Sequence, residues 1–178
     1  MFKDLNKLID SEDNSKSSLI KVLKELSKTI SIYDQMKVIN ELKDDLAYIE
    51  GPLKENTFET YARHFVLRIN DVKNDKNTYN NEKFDFDEYV KSIVILENQY
   101  LENKKTKEMS QEFKKIYIII PLYTTFILDE PIHPVGTKFP GNLKLTYEDG
   151  IYYCPAKENN KDNPHAVCPF CVAEQLEF

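Results

Sequence analysis

Helix-breaking residues crowd into the last third of this chain. Beyond Asp129 lie six of its eight prolines, three of its four glycines, all three cysteines and two of its three histidines. Proline removes a backbone donor and glycine loosens a helix, so regular helix is expected before this point and loops after it. The expected fold is mainly α, a helical bundle with a small C-terminal Cys-rich β-hairpin or zinc-knuckle module. On this reading residues 1–128 form the bundle and residues 129–178 a Cys/His metal-binding module packed on it.

Five amphipathic segments support the bundle. Leu19, Val22, Leu23, Leu26, Ile30 and Tyr33 recur at helical spacing behind Ser15, Ser17 and Ser18, any of which is a fit cap. Met36, Ile39, Leu42, Leu46 and Ile49 continue the pattern until Gly51-Pro52 stops it. Phe58, Tyr61, Phe65, Ile69 and Val72 define an aromatic-rich face, followed by an asparagine-rich exposed loop from Lys73 to Lys83. The fourth pattern runs from Phe86 to Tyr100. The fifth runs from Ser110 towards Leu128, with Pro121 expected to kink or interrupt it.

The tail reads differently. Leu143, Leu145 and Tyr147 alternate with polar residues, Glu148-Asp149-Gly150 offers a tight turn, and Ile151-Tyr152-Tyr153-Cys154 resumes in extended residues. That is the pattern of a β-hairpin ending on a cysteine.

The cysteines are spaced C-x13-C-x2-C, as Cys154 and then Cys168-Pro169-Phe170-Cys171. A C-x2-C pair sets two sulfurs on one turn, within reach of a single tetrahedral ion, and Pro169 pre-sets that turn. Structural zinc commonly takes three Cys and one His, which makes His133 and His165 candidates for the fourth position. A water there instead would leave the site open for catalysis. The carboxylates of Asp129, Glu130 and Glu174 are near in sequence without being singled out. The competing account of the cysteines is burial as small apolar residues without a ligand. A zinc ion would account for the stability of a loop-rich tail, because structural zinc contributes on the order of 10 kcal/mol to folding.

Other readings of the same residues stay open. An iron–sulfur cluster could use the three thiols, although the spacing matches no ferredoxin run. Cys-Pro-Phe-Cys looks like a redox motif, but it stands at the chain end, whereas thioredoxin-like folds carry theirs early. A redox protein or metalloenzyme with an open site is therefore the alternative to a structural or protein-interaction role. Nucleic-acid binding through a zinc ribbon is a second alternative, in which Phe139, Tyr147, Tyr152, Tyr153 and Phe170 would stack on bases. The formal net charge of −6 disfavours it. The tail itself is acidic, so those rings are expected to form a small core over the metal.

Tyr61, His64 and Arg68 fall on one helical face beside Glu59 and Arg63, where they could bind an anion or move a proton. A solvated edge is the stronger expectation for them. The sequence holds no P-loop, no G-x-G-x-x-G, no G-x-S-x-G and no His-Glu-x-x-His. No apolar run approaches the ~20 residues that span a bilayer, and the Met-Phe-Lys-Asp start lacks a signal-like apolar core, so a cytoplasmic location is expected.

Several tail motifs resemble a family. His133-Pro134-Val135-Gly136-Thr137, Phe139-Pro140-Gly141, Tyr153-Cys154-Pro155 and Cys168-Pro169-Phe170-Cys171 with Ala173-Glu174-Gln175 are similar to the C-terminal signature of an uncharacterised protein family of methanogenic archaea. The resemblance implies no activity. It does imply that His133, inside its His-Pro-x-Gly-Thr motif, is a better fourth ligand than His165, and that the thiols work in an anaerobic cytoplasm.

Overall fold

In the computed structural model, the described residues are 1–45, 58–59, 62–106, 109–164 and 166–177. They form a mainly helical fold with a small three-stranded sheet. Helix α1 spans Phe2–Asp10, α2 Lys16–Lys28 and α3 Ile32–Asp45. A π-helical turn, Ala62–Val66, leads to α4, Ile69–Asn74. Helices α5, Phe86–Thr106, and α6, Gln111–Phe126, complete the bundle.

Local chemistry explains most of these boundaries. Of the three serines before α2, Ser15 is the cap, its hydroxyl accepting from the Ser18 N–H at 3.4 Å. Ser110 caps α6 in the same way, accepting from the Phe113 N–H at 3.1 Å. The expected first segment ends earlier than its apolar pattern: α2 stops at Lys28, Ile30 is buried in the link, and Tyr33 points into solvent at 80% exposure. Leu46, Ile49 and the Gly51-Pro52 stop lie outside the described residues.

Helix α6 is the axis of the fold. Ile116, Ile118, Ile119, Ile120 and Leu122 are all essentially inaccessible, so it is apolar around its circumference, as a bundle's central helix must be. Pro121 does not interrupt it; the helix continues to Phe126. A proline removes one donor and crowds one carbonyl, and complete burial among apolar neighbours holds the turn together. Helices α2, α3 and α4 pack on α6, and α1 packs on α2 and α5.

The third amphipathic segment is not one regular helix. Within the π-turn the Leu67 N–H donates to the Ala62 carbonyl at 3.0 Å, five residues back, before α4 begins at Ile69. The loop after α4 is not freely exposed either, because Tyr79 is buried in it and Asp75, which accepts from Tyr79, also accepts from Tyr123 of α6.

The tail begins with two ion pairs to the bundle. Asp129 meets Lys16 of α2, and Glu130 meets Arg68 just before α4. The hairpin follows as expected: β1, Thr146–Glu148, pairs antiparallel with β2, Ile151–Cys154, with Tyr147 opposite Tyr152. Asp149 and Gly150 both have positive φ, 51° and 86°, the geometry of a type I′ turn. A two-residue strand, β3, Glu174–Gln175, then pairs parallel to β2 and sets Cys154 opposite Gln175.

Two apolar clusters result. The larger fills the bundle and takes in Val167 and Phe170 from the tail, with Phe170 stacked on Phe126 at 6.3 Å. The smaller is built on Leu145, Cys154 and Ala173, with Phe139 and Tyr152 against it. Cys171 packs against both. No helix among the described residues is long and apolar enough to cross a membrane.

Candidate functional site

Each cysteine is positioned by a short, well-defined element. Cys154 closes β2 and is buried in the smaller cluster. Pro155 turns the chain there, so the backbone N–H groups of Ala156 and Lys157 face the Cys154 thiol and act to lower its pKa. Cys168 and Cys171 flank one 3-10 turn, in which the Cys171 N–H donates to the Cys168 carbonyl at 3.2 Å.

Lys157 joins these pieces. It opens the short helix α7, Lys157–Asn160, and its Nζ donates to the Cys168 and Cys171 carbonyls at 2.7 Å each. Sequence reasoning missed this residue, because nothing in a Cys-Pro-Ala-Lys string announces a tertiary role for its lysine. Strand β3 completes the arrangement: the Leu176 N–H donates to the Cys154 carbonyl at 3.1 Å, which folds the chain after Cys171 back onto β2.

Burial and charge on the neighbouring thiols raise two of the three cysteines. Burial pushes Cys168 up to about 11, and negative charge on Cys171 and Cys154 adds to that, while the Lys157 ammonium opposes it. Burial also raises Cys154, against the Ala156 and Lys157 N–H groups, and charge on Cys171 raises it further. These buried thiols are poor thiolates on their own. Among the described residues, however, no three His, Cys, Asp or Glu side chains stand together as a ready-made metal-holding group.

His133 sits in the loop between α6 and the hairpin. Its motif has a clear physical basis. Thr137 donates from its hydroxyl to the Pro134 carbonyl at 2.7 Å, and Gly136 takes φ 86°, closing a turn. The Gly136 N–H then donates to Leu145 O at 2.8 Å, docking the turn on the approach to β1. The His133 ring lies edge-on to Phe139 at 5.7 Å, and burial lowers its pKa, which favours the neutral imidazole.

His133, Cys154 and Cys168 line one cleft of about 370 Å³, facing His64, Phe65 and Tyr117 of the bundle. Cys171 borders a different depression, beside Pro169 and Phe170. His165, the rival fourth ligand, lies outside the described residues. The nearby carboxylates are otherwise engaged: Asp129 with Lys16 and Glu130 with Arg68, while Glu174 is exposed on β3.

The candidate face on the aromatic segment does not hold as one face. Tyr61 lies outside the described residues, Arg63 pairs with Glu59 at 2.9 Å, Arg68 pairs with Glu130, and His64 turns to the cleft. The π-turn alters the helical phase between His64 and Arg68, so α-helical spacing does not describe them. The tail aromatics also separate. Phe139 and Tyr152 pack at the smaller cluster, Phe170 joins the bundle core, and Tyr147 is half-exposed against Tyr152 at 4.5 Å.

Comparison with known proteins places this fold in a family. Residues 15–176 match the family model described as "Uncharacterized protein conserved in archaea (DUF2115)". A UPF0305 protein of Methanothermobacter thermautotrophicus is 36% identical over 157 residues, covering 88% of this chain and 94% of the relative. A UPF0305 protein of Methanococcus maripaludis strain C7 is 32% identical over 158 residues, covering 89% and 95%. No solved structure matches. With nearly its whole length aligned to relatives in methanogens, the chain belongs to this family of uncharacterised proteins conserved in archaea.

Proposed function

We propose that Cys154, Cys168 and Cys171 hold one zinc ion, with His133 as the fourth ligand, and that the ion serves a structural role in presenting the tail to a protein partner. The observation that carries the reading is the arrangement of three free cysteines, Cys154 buried and Cys168 and Cys171 half-buried, on two proline-shaped turns that Lys157 fastens together. Thiolates gathered in one module repel one another, and a divalent cation removes that repulsion by taking the place of their protons. The N–H groups facing the Cys154 sulfur and the Lys157 ammonium offset the negative charge that remains.

The donors fit zinc by type: three soft sulfurs and a neutral imidazole. They are not drawn together into a ready-made group, so binding has to pull them in, and the strength of zinc–thiolate bonds supplies the drive. The ion would then fasten the C-x2-C turn to the end of β2, beside the weakest part of the sheet, the two-residue β3.

The test is metal content on protein purified without oxygen, added metal or chelator, followed by cobalt substitution. About one zinc per chain, and a thiolate-to-cobalt absorption that Cys168→Ser diminishes, is the expected result. Iron with sulfide, or no metal that any cysteine substitution affects, overturns it.

A further inference from the structure

The cleft between the π-turn and the cysteine module is more than an access route to the thiols. At about 370 Å³ it falls within the range of about 300–1,000 Å³ typical of small-molecule sites. One wall is fixed to the bundle core: Phe65 and Tyr117 meet edge-on at 5.8 Å. The opposite wall is carried by the tail, through His133, Phe139 and Cys168.

The character of the lining selects its occupant. It is mainly apolar, with polar side-chain groups supplied by two imidazoles, the Tyr117 phenol, the Asn160 amide and two thiols. Among the described residues no Lys, Arg, Asp or Glu lines it. A ligand carrying a full charge would therefore be desolvated without a counter-charge, which costs far more than burying a neutral polar head that finds a hydrogen bond. Nucleotides, phosphates, carboxylates and amines are disfavoured on this ground.

A second observation points to the same place. His64 reaches the cleft from within a π-helical turn, a rare and locally costly conformation that is found mostly at functional positions. The surrounding helix gains no core burial from it at His64, which is exposed. A regular helix would have carried the following residues to a different phase.

We infer that this cleft binds a small uncharged molecule, its apolar body lying between Phe65, Tyr117 and Phe139 and its amide- or alcohol-type head between His64 and His133. The inference goes beyond the zinc reading and is drawn for the metal-free chain; because His133, Cys154 and Cys168 line the same cleft, an ion held by them would compete with the ligand for His133.

The test uses three probes of nearly one shape on the full chain: benzamide, benzoate and benzylamine, followed through the imidazole resonances of His64 and His133. Metal content is measured on the same sample, so that loss of the ion and loss of ligand binding are read separately. Benzamide is expected to shift both imidazoles saturably, and the two charged analogues to bind more weakly by roughly tenfold or more. Ala166→Leu, which fills the cleft without removing a hydrogen-bonding side chain, should abolish the benzamide shift at an unchanged far-ultraviolet spectrum. Should that variant fail to fold, His64→Ala at its exposed position should weaken benzamide binding several-fold. Absence of a saturable benzamide shift, equal binding of the charged analogues, or undiminished binding in the folded variants overturns the inference.

Discussion

The ammonium of Lys16 lies 2.5 Å from Asp129 Oδ2 across 113 residues of sequence, and the two ends of this pair live in different environments. Lys16 is 4% exposed, whereas the Asp129 side chain is 71% exposed. Lys16 also donates to the Ile127 carbonyl at 3.0 Å, so it fastens the exit of α6 to the start of α2.

Lys16→Met should therefore cost more than Asp129→Ala. The first leaves a buried carbonyl without its donor, a loss of about 1–3 kcal/mol. The second removes a solvent-screened partner from a lysine that keeps Ile127 O, a loss of about 1 kcal/mol or less. Urea denaturation of the two variants gives the order; equal losses would show that the carbonyl bond contributes nothing.

Gly150→Ala should destabilise by about 1–2 kcal/mol through the backbone alone. Its φ is 86°, and an added Cβ would meet no atom within 4 Å, so no clash enters. Thermal melts should show the loss, while Asp149→Gly, at φ 51°, should be neutral or stabilising.

Tyr79 and Tyr123 donate to the same oxygen, Asp75 Oδ2, at 2.7 and 2.8 Å. Burial would raise Asp75, but these bonds and the Asn77 N–H outweigh it and hold the carboxyl below its usual value, while burial and the carboxylate push Tyr79 up to about 12. Each single Tyr→Phe change should cost about 1 kcal/mol, and the double change should depart from the sum because the acceptor is shared. The Asp75 contribution is present above the ordinary carboxylate range and disappears as pH falls through its depressed pKa, which acid titration of wild type against Asp75→Asn will show.

Metal-free protein should lose stability at high pH through Cys168. Its thiol, at about 11 when folded against a usual value of 9.0, keeps its proton where the unfolded chain has released it. The native state then binds more protons across that window, so stability falls as pH rises through it. Denaturation of wild type against Cys168→Ala between those limits should show the slope in wild type and its reduction in the variant.

Much of this architecture was legible from local chemistry. Ser15 and Ser110 cap where their hydroxyls precede apolar periods, and Asp149-Gly150 turns the hairpin because a type I′ turn needs two positive φ angles. What escaped depends on contacts remote in sequence. Helix α1 carries Phe2, Leu5, Leu8 and Ile9 at helical spacing, but its nine residues are fewer than the window over which such a period stands out. Strand β3 is two residues long and exists through its pairing with β2.

The site divides along the same line. That Cys154 ends a strand and that Cys168 and Cys171 share a turn follow from the proline spacing. That His64 faces two of these thiols across a cleft does not, because a π-turn leaves no mark in apolar periodicity.

That turn also sets an unusual constraint on length. It already holds one residue more than an α-helical turn accommodates, so inserting a further residue between Ala62 and Val66 would rotate everything downstream by roughly 100° until the next flexible link. Ile69 and Val72 would swing off the core, and Arg68 would leave Glu130, breaking one of the two ion pairs at the start of the tail. In this stretch the number of residues is restricted as well as their identity: an insertion should be tolerated far less well than substitutions at exposed Arg63 or Leu67, and less well than a single deletion that restores an α-helical turn.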